Sequence, residues 1–161
     1  MIKIRKYDSR DLDWLVELNN DCVPSVDAHT AESLAKNIGF CAHTLIAERY
    51  GSPLGAVMLM REGTDYASRN YAWHNAHNDQ HLYVDRIIVS EKARGLGVGR
   101  KLYKYAIMAA QADHVPLTAE VNTQPNNPQS HAFHEALGFA VADEIEHEPG
   151  YAVRFYRHES E

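Results

Sequence analysis

Apolar and polar residues alternate over "IKIRKY" (2–7), the period of a half-buried strand. The period then lengthens. Leu12, Leu15, Val16 and Leu18 recur at helical spacing in "SRDLDWLVELNND", with Ser9 or Asp11 available as cap. "TAESLAKNIGF" predicts a second helix, starting at Thr30 or Ser33 and ending at Gly39. "HTLIAERYGSPLGAVMLMR" (43–61) predicts two strands joined around Gly51-Ser52-Pro53. Residues 62–80 are polar, aromatic and irregular, and read as a long loop, a kind of segment more often functional than idle.

"LYVDRIIV" (82–89) is a strong strand. Three glycines follow it, then a helix to about Ala112 on which Val98, Leu102, Tyr105, Ala109 and Ala112 share one face. "PLTAEV" (116–121) predicts the next strand. "PQSHAFHEAL" predicts a helix with Asn127 as N-cap, Pro128 as its first residue and Gly138 as its stop. Strands near 140–147 and 151–157 close the chain. The order is strand, two helices, three strands, helix, strand, helix, two strands. The hairpins imply antiparallel pairing, and the strand–helix–strand step across 82–121 implies one parallel pair with a right-handed crossover. The expected class is α/β, a mixed sheet with helices on both faces, in a single domain over 1–161.

Composition narrows the function. The chain has 161 residues, 45% apolar and 24% charged, which suits one soluble domain with its own core. No apolar run is long enough to span a bilayer, and "MIKIRKYDSR" has no signal-like apolar stretch, so no membrane partner and a cytoplasmic location are expected. Cys22 and Cys41 are too few for a disulfide framework and read as reduced, buried thiols. A net charge of −6 argues against a nucleic-acid partner and favours a cationic one. Locally the sign reverses. Lys92, Arg94, Arg100, Lys101 and Lys104 surround the glycines with no acidic residue among them, which is where an anion would be steered.

Those glycines lie in "RGLGVGRKLY" (94–103). A Walker loop and a dinucleotide fingerprint, each counted from Gly95, need a glycine where Arg100 stands, so both fail. What remains is Arg94-x-x-Gly97-x-Gly99 opening a helix after a buried strand. Residues without a Cβ let backbone amides approach a ligand, and a helix start offers unpaired N–H groups and a positive dipole end. Together they suit a pyrophosphate.

"YVDRIIVSEKARGLGVGRKLYKYA" resembles the acyl-CoA-binding core of the GNAT superfamily of N-acetyltransferases, whose signature [Q/R]-x-x-G-x-[G/A] is matched by Arg94, Gly97 and Gly99. "AEVNTQPNNPQSHAFHEALGF" is similar to the fifth strand and fourth helix of the same fold, and the segment order fits over nearly the whole chain. The resemblance implies a GNAT-like fold and acetyl-CoA as acyl donor, with no metal. It implies direct attack by a primary amine, on a small molecule or a peptide, in a ternary complex. A homodimer is the common assembly of that superfamily. A non-catalytic acyl-CoA sensor on the same fold is the rival reading.

By the same resemblance, backbone groups of Ile87, Ile88 and Val89 hold the pantetheine arm, and an amide near Ile88 or Val89 acts as oxyanion donor. The amides of Gly95, Leu96, Gly97, Val98, Gly99, Arg100 and Lys101 bind the pyrophosphate, with charge from Arg94, Arg100 or Lys101. Asn122, Asn127, Ser130 and Phe133 touch the arm from the other wall. A tyrosine commonly stands beside the sulfur as proton donor, and the matching position here is His134. A histidine can donate a proton near neutral pH, contact the pantetheine, or lie solvated on the helix.

Two acidic residues are candidates for the base. Tyr83, Asp85, Ile87 and Val89 share one strand face, and Thr118, Glu120 and Asn122 share another. Asp85 and Glu120 are costly in buried strands unless paired or used. For Asp85 an ion pair with Arg86 competes with a catalytic role. Glu120 leans towards the site. His74, His77 and His81, with Asp79, form a cluster without a standard metal spacing. A substrate-shaping loop with Tyr66, Tyr71 and Trp73, or an inert solvated loop, fits it better than zinc.

Overall fold

Among the described residues, the alternating segments form seven strands: β1 (Lys3–Lys6), β2 (His43–Arg49), β3 (Ser52–Arg61), β4 (Leu82–Val89), β5 (Leu117–Gln124), β6 (Ala140–Glu148) and β7 (Tyr151–His158). They make one sheet in the order β1-β2-β3-β4-β5-β7-β6. Every pairing is antiparallel except β4 with β5. The α-helices of the described residues cover it: α1 (Leu12–Asp21), α2 (Ala31–Phe40), α3 (Arg69–His77), α4 (Val98–Ala112) and α5 (Pro128–Ala136). This computed structural model describes residues 1–159.

Local chemistry accounts for the boundaries. Thr30 and Ser33 exchange side-chain and backbone hydrogen bonds as a capping box at the start of α2. Asn127 caps α5 by accepting from the Ser130 amide, with Pro128 next to it. Neither Ser9 nor Asp11 caps α1 through its side chain. Asp8 instead caps a short 3-10 turn over Ser9–Asp11 that leads into the helix. The first hairpin turns on Tyr50 and Gly51, both at positive φ, one step earlier than the composition of 51–53 implied.

Each sheet face has its own apolar cluster. Val57, Leu59, Leu82, Val84, Leu117, Ala119 and Val121 pack under α4 and α5. Ile46, Ala56, Met58 and Ile88 pack under α1 and α2 on the opposite face. Met60, Tyr71 and Tyr83 form a third cluster beneath α3.

Three expectations are corrected. Residues 62–80 are not all loop, because Arg69–His77 is helical, its start capped by Ser68 accepting from the Tyr71 amide. The inward face of α4 carries Val98, Leu102, Tyr103, Ala106 and Ala110, while Tyr105 points outward. In β4 a bulge opposite Met58/Leu59 absorbs Asp85 and shifts the alternation. Ile87 and Val89 therefore share the α4 face with Leu82 and Val84, whereas Tyr83 lies on the α3 face.

Candidate active site

β4 and β5 pair only at Leu82↔Leu117 and Tyr83↔Thr118, and beyond those two rungs they separate. The separated half of β4 is left with polar backbone on one side. Ser90 N–H donates to Leu54 O at 2.8 Å, and the Ile88 carbonyl faces Gly55, so residues 88 and 90 turn their backbone groups to β3. Strand alternation then directs the amides and carbonyls of Ile87 and Val89 into the gap. Ile88 itself serves β3 and packs its side chain under α1 and α2.

The start of α4 closes one end of this gap. Gly97 is the N-cap in the left-handed region, and no side chain caps the helix. Among the described residues, the amides of Gly95, Gly97, Val98, Gly99 and Arg100 have no protein acceptor. Leu96 N–H donates to Ala93 O and Lys101 N–H to Gly97 O, so those two of the expected seven are already used. A Cβ on Gly99 would lie 3.8 Å from Phe133, 3.9 Å from Ile87 and 4.0 Å from Val89, which puts this first turn directly over the gap. Arg94 and Arg100 are exposed beside it, while the Lys101 ammonium is bound to the Ile2 carbonyl. A cluster of unpaired amides flanked by two free guanidinium groups fits a pyrophosphate.

The opposite wall is α5. Phe133 is half-buried, Ser130 is partly exposed, and Asn127 and Asn122 hold the turn between β5 and α5 through Asn122 O accepting from Asn127 N–H at 3.2 Å. His134 is only 4% exposed, so it is not a solvated helix residue. Its Nδ1 lies 2.8 Å from the Ser130 carbonyl, which can only accept. Nδ1 therefore carries the proton, and Nε2 accepts from the buried Tyr103 hydroxyl at 2.6 Å. Burial also lowers the imidazole below its ordinary value, which keeps it neutral. The resting ring has no free N–H to offer a thiolate.

The two acidic candidates differ in their partners. Asp85 Oδ2 is 2.8 Å from Arg86 Nε and Oδ1 accepts from Tyr66 OH at 2.6 Å. Arg86 is buried too and is further bound by Asn19 and Asp27. Asp85 is thus the ion-pair member weighed above. Among the described residues, no guanidinium or ammonium pairs with Glu120. Tyr83 OH donates to its Oε2 at 2.9 Å and His74 Nε2 lies 3.2 Å from its Oε1. Burial, reinforced by the Glu120 charge, holds the Tyr83 phenol well above its ordinary value, so it remains a donor.

The three histidines of 74–81 do not converge. His74 turns to Glu120, His77 stacks on Trp73 and bonds its carbonyl, and His81 bridges Thr118 and Asn75. Trp73 stacks on Phe155 of β7 at 3.9 Å, which anchors α3 to the sheet.

Comparison with known proteins decides the family. The sequence model of the acetyltransferase (GNAT) family matches residues 12–139. The chain belongs to the GNAT family. It is an acetyl-transferring enzyme, and the mixed sheet with its opened β4–β5 pair is a GNAT fold. The ribosomal-protein-S18-alanine N-acetyltransferase of Escherichia coli superposes with a TM-score of 0.75 at 17% identity, over 100% of this chain and 96% of that one. Arabidopsis thaliana Naa50, in complex with the bisubstrate analogue CoA-Ac-MVNAL, superposes with a TM-score of 0.73 at 18% identity, over 98% of each chain. The 5-NmdU N-acetyltransferase of Pseudomonas phage PaMx11 is 43% identical over 56 residues, 35% of this chain. That match spans 37% of the phage protein's length. No helix of this GNAT protein among the described residues is long and apolar enough to cross a membrane.

Within this GNAT domain the structure gathers Ile87, Val89, the glycine-loop amides and Phe133 around one gap. Glu120 stands on β5, which forms the other edge of that gap. Asp85 is drawn away by Arg86. Sequence reasoning missed Tyr83 as a partner of Glu120, His74 as a second one, and Tyr103 as the partner of His134. Only the spacing of Tyr71, His74 and Asn78, behind a capping Ser68, hinted that α3 existed.

Proposed function

We propose that this enzyme transfers an acetyl group from acetyl-coenzyme A to a primary amine in a ternary complex. The observation that carries the reading is the gap beyond Tyr83↔Thr118, with the Val89 amide directed into it and unpaired helix-start amides at its end. When bound, acetyl-coenzyme A supplies a thioester whose carbonyl carbon the amine attacks.

The chain's own groups then have distinct tasks. The amides of Gly95 and Gly97 to Arg100, with Arg94 and Arg100, take the pyrophosphate. Backbone groups of Ile87 and Val89 take the pantetheine arm, and the Val89 N–H serves as oxyanion donor. Asn122, Asn127, Ser130 and Phe133 form the second wall. Glu120 accepts the proton that an ammonium must lose before it can attack. His134 belongs to the wall and fixes Tyr103, rather than acting as the acid.

The test is calorimetric titration with acetyl-coenzyme A, then thiol release across an amine panel. The names of similar proteins suggest its members: peptides with amino-terminal alanine or methionine, 5-NmdU, and small cationic amines, which the acidic net charge favours. Saturable binding and amine-dependent thiol release are expected. Binding without turnover on any amine would restore the sensor reading, and absence of binding would overturn the donor.

A further inference from the structure

Among the described residues, the side-chain partners of Glu120 are a phenol and an imidazole, where Asp85 has a guanidinium. The Tyr83 hydroxyl takes Oε2, and His74 Nε2 takes Oε1. His74 is 1% exposed, and among the described residues its Nδ1 has no hydrogen-bond partner and no contact with solvent. That orphan nitrogen fixes the tautomer. A proton on Nδ1 would be buried without an acceptor, and Nε2 would then turn a lone pair onto a carboxylate. With the proton on Nε2, the bare Nδ1 is the cheaper vacancy and the bond to Glu120 is made.

We propose that His74, carried by α3, is a positioning residue for Glu120, working with Tyr83 to fix the carboxylate as a base. This rests on the reading of Glu120 as the base. Asp85 is paired with a guanidinium, whereas Glu120 is held by the Tyr83 hydroxyl and the His74 imidazole. Two directed hydrogen bonds, one to each oxygen, orient the Glu120 carboxylate. His74 is braced by Tyr83 at 5.2 Å, Phe155 at 5.1 Å and His81 at 5.9 Å between ring centroids. The titratable groups facing the carboxylate are His74 from α3 and Tyr83 from β4, with His81 behind His74 and with His147 of β6 and Tyr103 of α4 within electrostatic reach.

The experiment measures kcat, KM and the pH profile of kcat/KM for His74→Phe, His74→Gln and Tyr83→Phe, each alone and combined with Glu120→Gln. Phenylalanine keeps a ring but loses the donor, whereas the glutamine amide reaches the Nε2 position. His74→Phe and Tyr83→Phe should each lose roughly tenfold or more in kcat, with KM for acetyl-coenzyme A unchanged and the acid limb of the profile displaced. His74→Gln should recover most of the loss. In the Glu120→Gln background neither should cost anything further. Wild-type kcat and profile in His74→Phe, or an equal loss with and without Glu120, would overturn the inference and leave the base reading intact. A fully active Glu120→Gln enzyme would overturn the base reading itself. If His74→Phe does not fold, Tyr83→Phe, which deletes one buried oxygen, carries the same cycle.

Discussion

Asp85 and Glu120 stand on neighbouring strands with the same charge, yet their partners give them different chemistry. Arg86 holds Asp85 at 2.8 Å, whereas only a phenol and an imidazole hold Glu120. Glu120→Gln should lower kcat/KM by on the order of 100-fold or more, the usual scale of a lost general base. Asp85→Asn should act mainly on stability, by removing one charge of the buried Asp85–Arg86 pair. Steady-state rates and urea unfolding of the two variants separate these outcomes, and equal activity loss in both would refute the division of roles. His134 gives a second contrast. His134→Phe removes the acceptor of the buried Tyr103 hydroxyl, so it should cost about 1–3 kcal/mol of stability in urea titration. Its kcat should stay within a few-fold of wild type, and a loss approaching that of Glu120→Gln would return His134 to the acid role.

At the scale of elements, the gap depends on how closely β3 can hold β4. Gly55 makes that approach possible, since a Cβ there would lie 2.8 Å from the Ile88 carbonyl and 3.1 Å from Val98. Gly55→Ala must therefore push β4 towards the gap beside Val89. It should destabilise the fold by about 1–3 kcal/mol, as overpacking does, and raise KM for acetyl-coenzyme A more than it lowers kcat. An unchanged KM would show that the strand edge tolerates the displacement. The strands, α4 and α5 were legible because their signals are local: alternation, Asn127-Pro128 and a glycine-opened helix. The bulge at Asp85 was not, because the shift in register depends on β3 pairing with it. Nor was α3, whose inward positions are Tyr71, His74 and Asn78 rather than aliphatic residues. Its burial is supplied by Tyr83 and Phe155, residues distant in sequence. Glu120 was readable as an acid out of place, but its partners were readable only after the sheet was assembled.

For the whole molecule, that aromatic and histidine-rich layer beneath α3 carries a pH liability. His81 is fully buried between Thr118 Oγ1 at 2.7 Å and Asn75 Oδ1 at 2.8 Å. Burial, helped by the nearby His74, lowers its imidazole from 6.5 to about 4. Glu62 opposes that shift, while Arg61 and Arg157 add to it. In the unfolded chain the same ring binds a proton near pH 6.5, so below that value the unfolded state holds more protons than the folded one. Stability should then fall as pH drops through 6.5 and level off near 4, by about 3 kcal/mol for a displacement of this size. Burial of His134 acts in the same direction, so the combined loss begins in the same window. Asp11, held low mainly by its hydrogen bonds from Arg5, adds its own loss only under more acidic conditions, below the ordinary carboxylate value. Urea unfolding across this range should show a clear slope in the wild type and a flatter one in His81→Gln, which cannot titrate. The comparison uses the slope, so any constant cost of the substitution cancels, and identical slopes would place the proton uptake elsewhere.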